Sequence, residues 1–166
     1  MKVILKTGLM LLLAATLFTA CTPDAHKEIG APRNIARSLE GTWKLVKATQ
    51  VDEDAARKGF PFKELDITNI YPYTDFVLKF NSGSPATFTT TPGGSPKIIK
   101  LASGNWTLDN PDYPQKLTLT SGATTEIATL GGYPSGPYSN LKLKVERKDA
   151  STSKVLITYT YEFAKQ

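Results

Sequence analysis

The chain has 166 residues with 20 basic and 15 acidic side chains, a formal net charge of +5, one histidine and one cysteine. That length holds one domain with a sizeable core beside a leader, and not two domains. The charge is ordinary for solubility and makes no case for nucleic acid. With His26 and Cys21 both near the N-terminus, the domain offers neither of the side chains on which zinc and copper sites depend.

The chain opens with Lys2 and Lys6 and then runs apolar from Leu9 to Ala20, broken only by Thr16 and Thr19. A short basic region followed by an apolar stretch of this size predicts a secretory signal over residues 1–20. The run is too short for a membrane span, which needs about 20 apolar residues. Ordinary signal peptidase requires small side chains one and three places before its cut, and Phe18 fails that test. "LFTAC" (Leu17 to Cys21) resembles a lipobox instead: Thr19, Ala20 and Cys21 match, and Leu17 supplies the leucine one place early. The resemblance implies a diacylglycerol on the Cys21 sulfur, cleavage before Cys21 and acylation of the new amine, palmitate being one such chain. At about 0.8 kcal/mol per buried CH₂, several such chains hold a protein to a bilayer. A retained membrane segment and a plain secreted domain are the competing readings. A lipoprotein also loses Lys2 and Lys6 with its signal, so 18 bases remain against 15 acids and the net charge falls to +3. Thr22 rather than aspartate after the cysteine points, by the enterobacterial sorting scheme, to the outer membrane, with periplasmic and surface faces both open. Residues 21–37 are polar, carry Pro23 and Pro32, and read as a flexible tether.

From residue 38 to 166 the dominant signal is alternation, the period of a half-buried strand. It recurs in "TWKLVKATQV", "TDFVLKF", "ATFTTT", residues 97–108, "KLTLT", "TTEIATL", "KLKVERK" and "SKVLITYTYEFAKQ". Turn signals separate these runs at Asn81, Pro92, Thr120 and Asp149. About eight antiparallel strands with short connections predict an all-β fold, a small closed up-and-down barrel, with a β-sandwich as the alternative. One connection is long: between Val51 and Thr74, Asp52 caps a short helix ending near Gly59, and Pro61 and Pro72 keep the remainder irregular. "LEGTWKLV" (Leu39 to Val46) places a Gly-x-Trp where the first strand opens, and with the meander and the aromatic last strand it resembles the lipocalin-like lipoproteins of Bacteroidota, a group largely of unknown function. The resemblance implies a lipocalin-like barrel whose Trp43 closes one end and stacks on a late arginine, for which Arg147 is the candidate.

Trp43, Phe76, Phe80 and Trp106 are expected in the barrel core, since large rings dominate core energetics. Tyr71, Tyr73, Tyr133 and Tyr138 lie in loops rich in proline and glycine, where rings on rigid loops can bind a ligand or cover a barrel end. They are the candidate ligand-binding residues, placed together at the rim opposite Trp43. No catalytic constellation stands out: the domain lacks a histidine base, and Asp66, Asp75, Asp109 and Asp112 remain only as scattered carboxylates. No metal site and no cofactor is expected. The functional expectation is a lipid-anchored, non-catalytic module that binds a small apolar ligand or a glycan. A protein-interaction module using the loop tyrosines and a carboxylate-based hydrolase are the alternatives.

Overall fold

Alternating side chains on a pleated backbone present one apolar face per strand, and here those faces roll inward around a single core. The structure is a computed structural model that describes residues 30, 34–132 and 140–166. The expected signal over residues 1–20, Cys21, Tyr133 and Tyr138 therefore lie outside the described residues. In chain order come α1 (Ile35–Leu39), β1 (Gly41–Asp52), α2 (Glu53–Arg57), β2 (Glu64–Asp66), a 3₁₀ turn (Tyr73–Asp75), β3 (Val77–Asn81), β4 (Thr87–Thr91), β5 (Ser103–Leu108), β6 (Lys116–Ser121), β7 (Thr124–Gly132), β8 (Leu141–Lys148) and β9 (Val155–Lys165).

Each strand pairs antiparallel with its neighbour from β3 to β9, and β1 joins β3 on one side and β9 on the other. This closes an eight-stranded up-and-down barrel, with β2 as an extra strand outside the ring. The barrel is the expected fold, and the sandwich is set aside. Closure removes the free edges that an open sheet of this size would expose.

The register stacks the interior in rows. Leu45, Phe163 and Leu141 lie side by side near the end where β1 begins. Above them come Ala48, Tyr161, Leu143 and Leu130. The uppermost row runs Leu65, Gln50, Tyr159, Val145 across β2, β1, β9 and β8. Burial falls along this axis: Leu45, Phe163 and Leu141 are fully covered, whereas Leu65 is 54% and Val145 37% exposed. Trp43, Phe76, Phe80 and Phe88 fill the lower interior, and Trp106 packs edge-on to Phe80 at 5.2 Å. All four residues expected in the core are there.

Three expectations need correction. Residues 97–108 do not form one strand: only Ser103–Leu108 pairs, because the amides of Lys100 and Leu101 are taken by the Glu126 carboxylate rather than by a ladder partner. The long first connection is not wholly irregular, since Glu64–Asp66 pairs with Thr49–Val51. And Arg147 is not the partner of Trp43. It pairs with Ile157 at the far end of β9, while the Lys165 ammonium stands 5.4 Å from the centroid of the Trp43 ring.

Candidate open-end binding site

The two ends of the barrel are built differently, and the difference locates the site. At the end where β1 begins, Asn34 caps α1 by accepting from the Arg37 amide at 3.0 Å, and α1 lays Ile35 and Leu39 on the core. The buried Trp43 indole N–H donates to the Leu39 carbonyl at 2.7 Å. That bond satisfies a polar group that would be costly to bury alone. Lys165 crosses above the ring and donates to the Ser38 carbonyl at 3.2 Å. Gly41 permits this, since its φ is +116° and a Cβ there would meet the lysine stem. This end is closed.

The opposite end is a mouth. Between β4 and β5 the chain folds Ile99 inward, and the Glu126 carboxylate holds that segment through the amides of Lys100 and Leu101 at 3.0–3.2 Å. From the other side the 3₁₀ turn lowers Tyr73 onto Tyr161, with ring centroids 6.0 Å apart, and Tyr71 meets Tyr73 edge-on at the same separation. Tyr159 stacks on Tyr161 at 6.2 Å with the rings 8° from parallel. Burial pushes the Tyr161 phenol above its ordinary value, and the neighbouring Tyr73 and Tyr159 phenols add to that shift. Tyr73 is raised in the same direction, burial again leading. Tyr73 and Tyr161 therefore present neutral phenols on the descent into the core at physiological pH.

Two recesses open along the upper row. One of about 60 Å³ is lined by Ile99, Leu119, Ala128, Leu143 and Val145. The other, about 300 Å³ and open to solvent, lies against Gln50, Asp52, Phe62, Lys63, Glu64 and Leu65. Beside the second, the β1–β3 connection carries exposed Phe60, Phe62, Leu65, Ile70 and Tyr71, Phe62 being 93% exposed. Isolated apolar side chains on a surface are ordinary, but several on one short segment mark a contact surface.

That connection is anchored at both of its ends. Asp52 accepts from the amides of Asp54 and Ala55 at 2.9 Å, the helix cap read from the sequence. Glu53 accepts from the Thr158 hydroxyl at 2.6 Å, and Asp54 bonds both Arg57 and Lys154 at 2.7 Å. Further on, Thr68 donates to Asp66 at 2.6 Å and its hydroxyl accepts from the Ala48 amide at 3.0 Å. The exposed apolar side chains are thus displayed on a segment pinned to the barrel wall.

The sequence-predicted tyrosines separate. Tyr71, 57% exposed, stands at the mouth, whereas Tyr73 is 6% exposed and serves packing. Gly132 and Leu141 lie at the closed end, and Tyr133 and Tyr138 between them lie outside the described residues. The carboxylates separate as well. Asp75 accepts from the Gly94 amide at 3.2 Å near the mouth, and Asp109 accepts from the amides of Gln115 and Lys116 at 2.9 and 3.0 Å at the closed end.

Sequence reading missed Gln50, Phe62, Leu65, Glu126 and Val145 as mouth residues. "GFPF" (Gly59 to Phe62) carried a signal, two phenylalanines around a proline in a segment with no core period. Tyr159 was legible as inward-facing but not as uncovered. Among known proteins, the family described as Domain of unknown function (DUF5004) matches residues 19–164. No curated protein matches the chain.

Proposed function

We propose, from the premise that this chain belongs to the DUF5004 family, that it is a lipid-anchored envelope protein whose barrel is a non-catalytic binding module gripping a protein partner at its open end. The observation that carries this is the contrast between a filled interior and the uncovered apolar row above it. Pockets that enclose a small ligand measure roughly 300–1,000 Å³ and bury most of it. The recess that reaches the interior here is about 60 Å³, and the larger one is open to solvent. A guest of this barrel therefore lies across the mouth. Leu65 and Ile70 beside Phe62 and Tyr71 favour a protein over a glycan, because aliphatic side chains offer no face on which a sugar ring stacks.

The anchor follows from the sequence: Cys21 carries the lipid, and of the tether expected over residues 21–37 the part before the Asn34 cap of α1, residues 21–33, spans at most about 45 Å when extended, at roughly 3.5 Å per residue. A domain so held stands off the outer membrane with room to turn. The lipocalin-like barrel serves as a rigid frame, and the β1–β3 connection supplies the contact.

Photo-crosslinking in cells tests the reading. A photoreactive residue at Leu65, Ile70 or Val145 should give one dominant protein adduct, and the same residue at Lys79 on the outer wall should give none. Equal adducts at all four positions, or a small molecule retained by the purified protein in native mass spectrometry, would reject the protein-partner reading. Cys21→Ser should leave the full-length, unlipidated precursor; normal processing of that variant would reject the anchor.

A further inference from the structure

We infer that the partner enters as an extended peptide strand, adding itself to the free edge of β2, and that its chemistry alternates basic with apolar side chains. The inference rests on the mouth-binding reading above and names the class of partner.

The edge is real because of where β3 stops. Over Gly41–Lys44, β1 is paired on this side by β3; over Thr49–Val51 the same side is taken by β2. The Asp52 amide donates to the Lys63 carbonyl at 2.8 Å and the Ile67 amide donates to the Ala48 carbonyl at 2.9 Å. In an antiparallel ladder, residues alternate between facing the partner strand and facing away from it. Lys63, Leu65 and Ile67 therefore turn their backbone groups to β1, and Glu64 and Asp66 turn N–H and C=O outward. Those outward groups are a template for one more strand, the mode of recognition in which the main chain supplies affinity and alternate side chains supply selectivity.

The side chains around the edge say what that strand carries. Glu64 and Asp66 share one face of β2, and neither takes part in a salt bridge among the described residues. On the other face Leu65 sits in the open recess next to the exposed Phe62. An incoming strand with lysine or arginine at alternate positions meets the two carboxylates, and apolar residues between them meet Leu65 and Phe62. Directly opposed unlike charges favour a strand pair, and like charges disfavour it. The same charges argue against a second copy of this chain, since antiparallel pairing about Leu65 would set Glu64 against Asp66 of the other copy.

The experiment uses the full chain and, as probe, a ten-residue peptide of alternating lysine and valine, with alternating glutamate and valine as control. Amide hydrogen exchange should slow at Glu64 and Asp66 when the lysine peptide is added and not with the control. Glu64→Pro removes one outward N–H without touching a bond to β1 and should weaken the peptide about tenfold, the loss of roughly one hydrogen bond with its neighbours. Glu64→Lys, which leaves the backbone intact and sets a cation two residues from Asp66, should abolish the preference for the lysine peptide over the glutamate peptide. Protection at other amides, or undiminished binding by both variants, would overturn the inference. So would chain dimerisation that Glu64→Pro abolishes with no peptide bound. If crosslinking at Val145 and Ile70 persists in Glu64→Pro at full yield, the edge is wrong and the mouth reading stands; if those adducts are absent from the unmodified edge as well, the mouth reading itself fails.

Discussion

The ammonium of Lys165, one residue from the C-terminus, lies 5.4 Å over the ring of Trp43, three residues into the first strand. This contact ties the last strand to the first at the closed end, where Trp43 and Lys165 are the terminal pair of the β1–β9 ladder. A cation over an indole at a partly exposed site contributes about 0.5–1 kcal/mol, and the lysine stem also covers the ring. Lys165→Ala should therefore lower stability by about 1 kcal/mol in denaturant unfolding. Lys165→Met, which keeps the stem, should lose less, and Lys165→Arg should lose nothing measurable. Equal losses for Ala and Met would assign the whole effect to the charge.

Asp52 is both the last residue of β1 and the cap of α2. A helix of five residues does not hold itself together in water, so its order comes from the cap and from its ties to β9. Replacing Asp52 with alanine should cost about 1 kcal/mol. Amide exchange should accelerate at Asp54 and Ala55 first. If those amides exchange as in the wild type, the helix is held by Glu53 and Asp54 alone.

Acid should loosen the same connection. The Asp54 carboxyl is held down at about 2 from an ordinary 3.8, chiefly by its hydrogen bond from Lys154 and next by that from Arg57. A carboxyl depressed in the folded state contributes stability that is present above its unfolded value and lost as pH falls through the folded one. The window is thus from about pH 4 down to about 2. The pair is exposed, so salt should weaken the contribution. Asp54→Asn should flatten this part of the acid limb of a stability–pH curve, and an unchanged limb would place the effect elsewhere.

Gly104, in β5, is a position where the backbone of β6 and a ring of the core come too close for any side chain. A Cβ there would run into the Thr120 carbonyl and sit 3.2 Å from the Phe88 ring. Overpacking of a well-filled core costs about 1–3 kcal/mol. Gly104→Ala should reach the upper end of that range in thermal unfolding, and a neutral result would mean that β5 and β6 can separate without penalty.

Much of this architecture was written locally. Alternation with period two is a property of neighbouring residues, so the strands, the inward set of Trp43, Phe76, Phe80 and Trp106, and the Asp52 cap were all legible without knowing what packs on what. The turns at short spacing implied a meander, and a meander of eight strands hides its edges by closing. The expected signal and the lipobox resemblance of "LFTAC" are likewise readings of one short segment.

What the tertiary structure decided depends on distance between residues far apart in the chain. A bulge between Leu45 and Lys47 reverses the facing of β1, so that Leu45 and Ala48 both point inward although they are an odd number of positions apart; one extra residue shifts every later side chain to the other face. The meander sends the last residues of β1 and β7 to opposite ends of the barrel. Closure brings Lys165, not Arg147, to Trp43. And the same aromatic alternation in β9 yields a buried Tyr161 and a half-covered Tyr159: both are flanked by β1 and β8, and Tyr161 also takes the Tyr73 ring from the distant 3₁₀ turn.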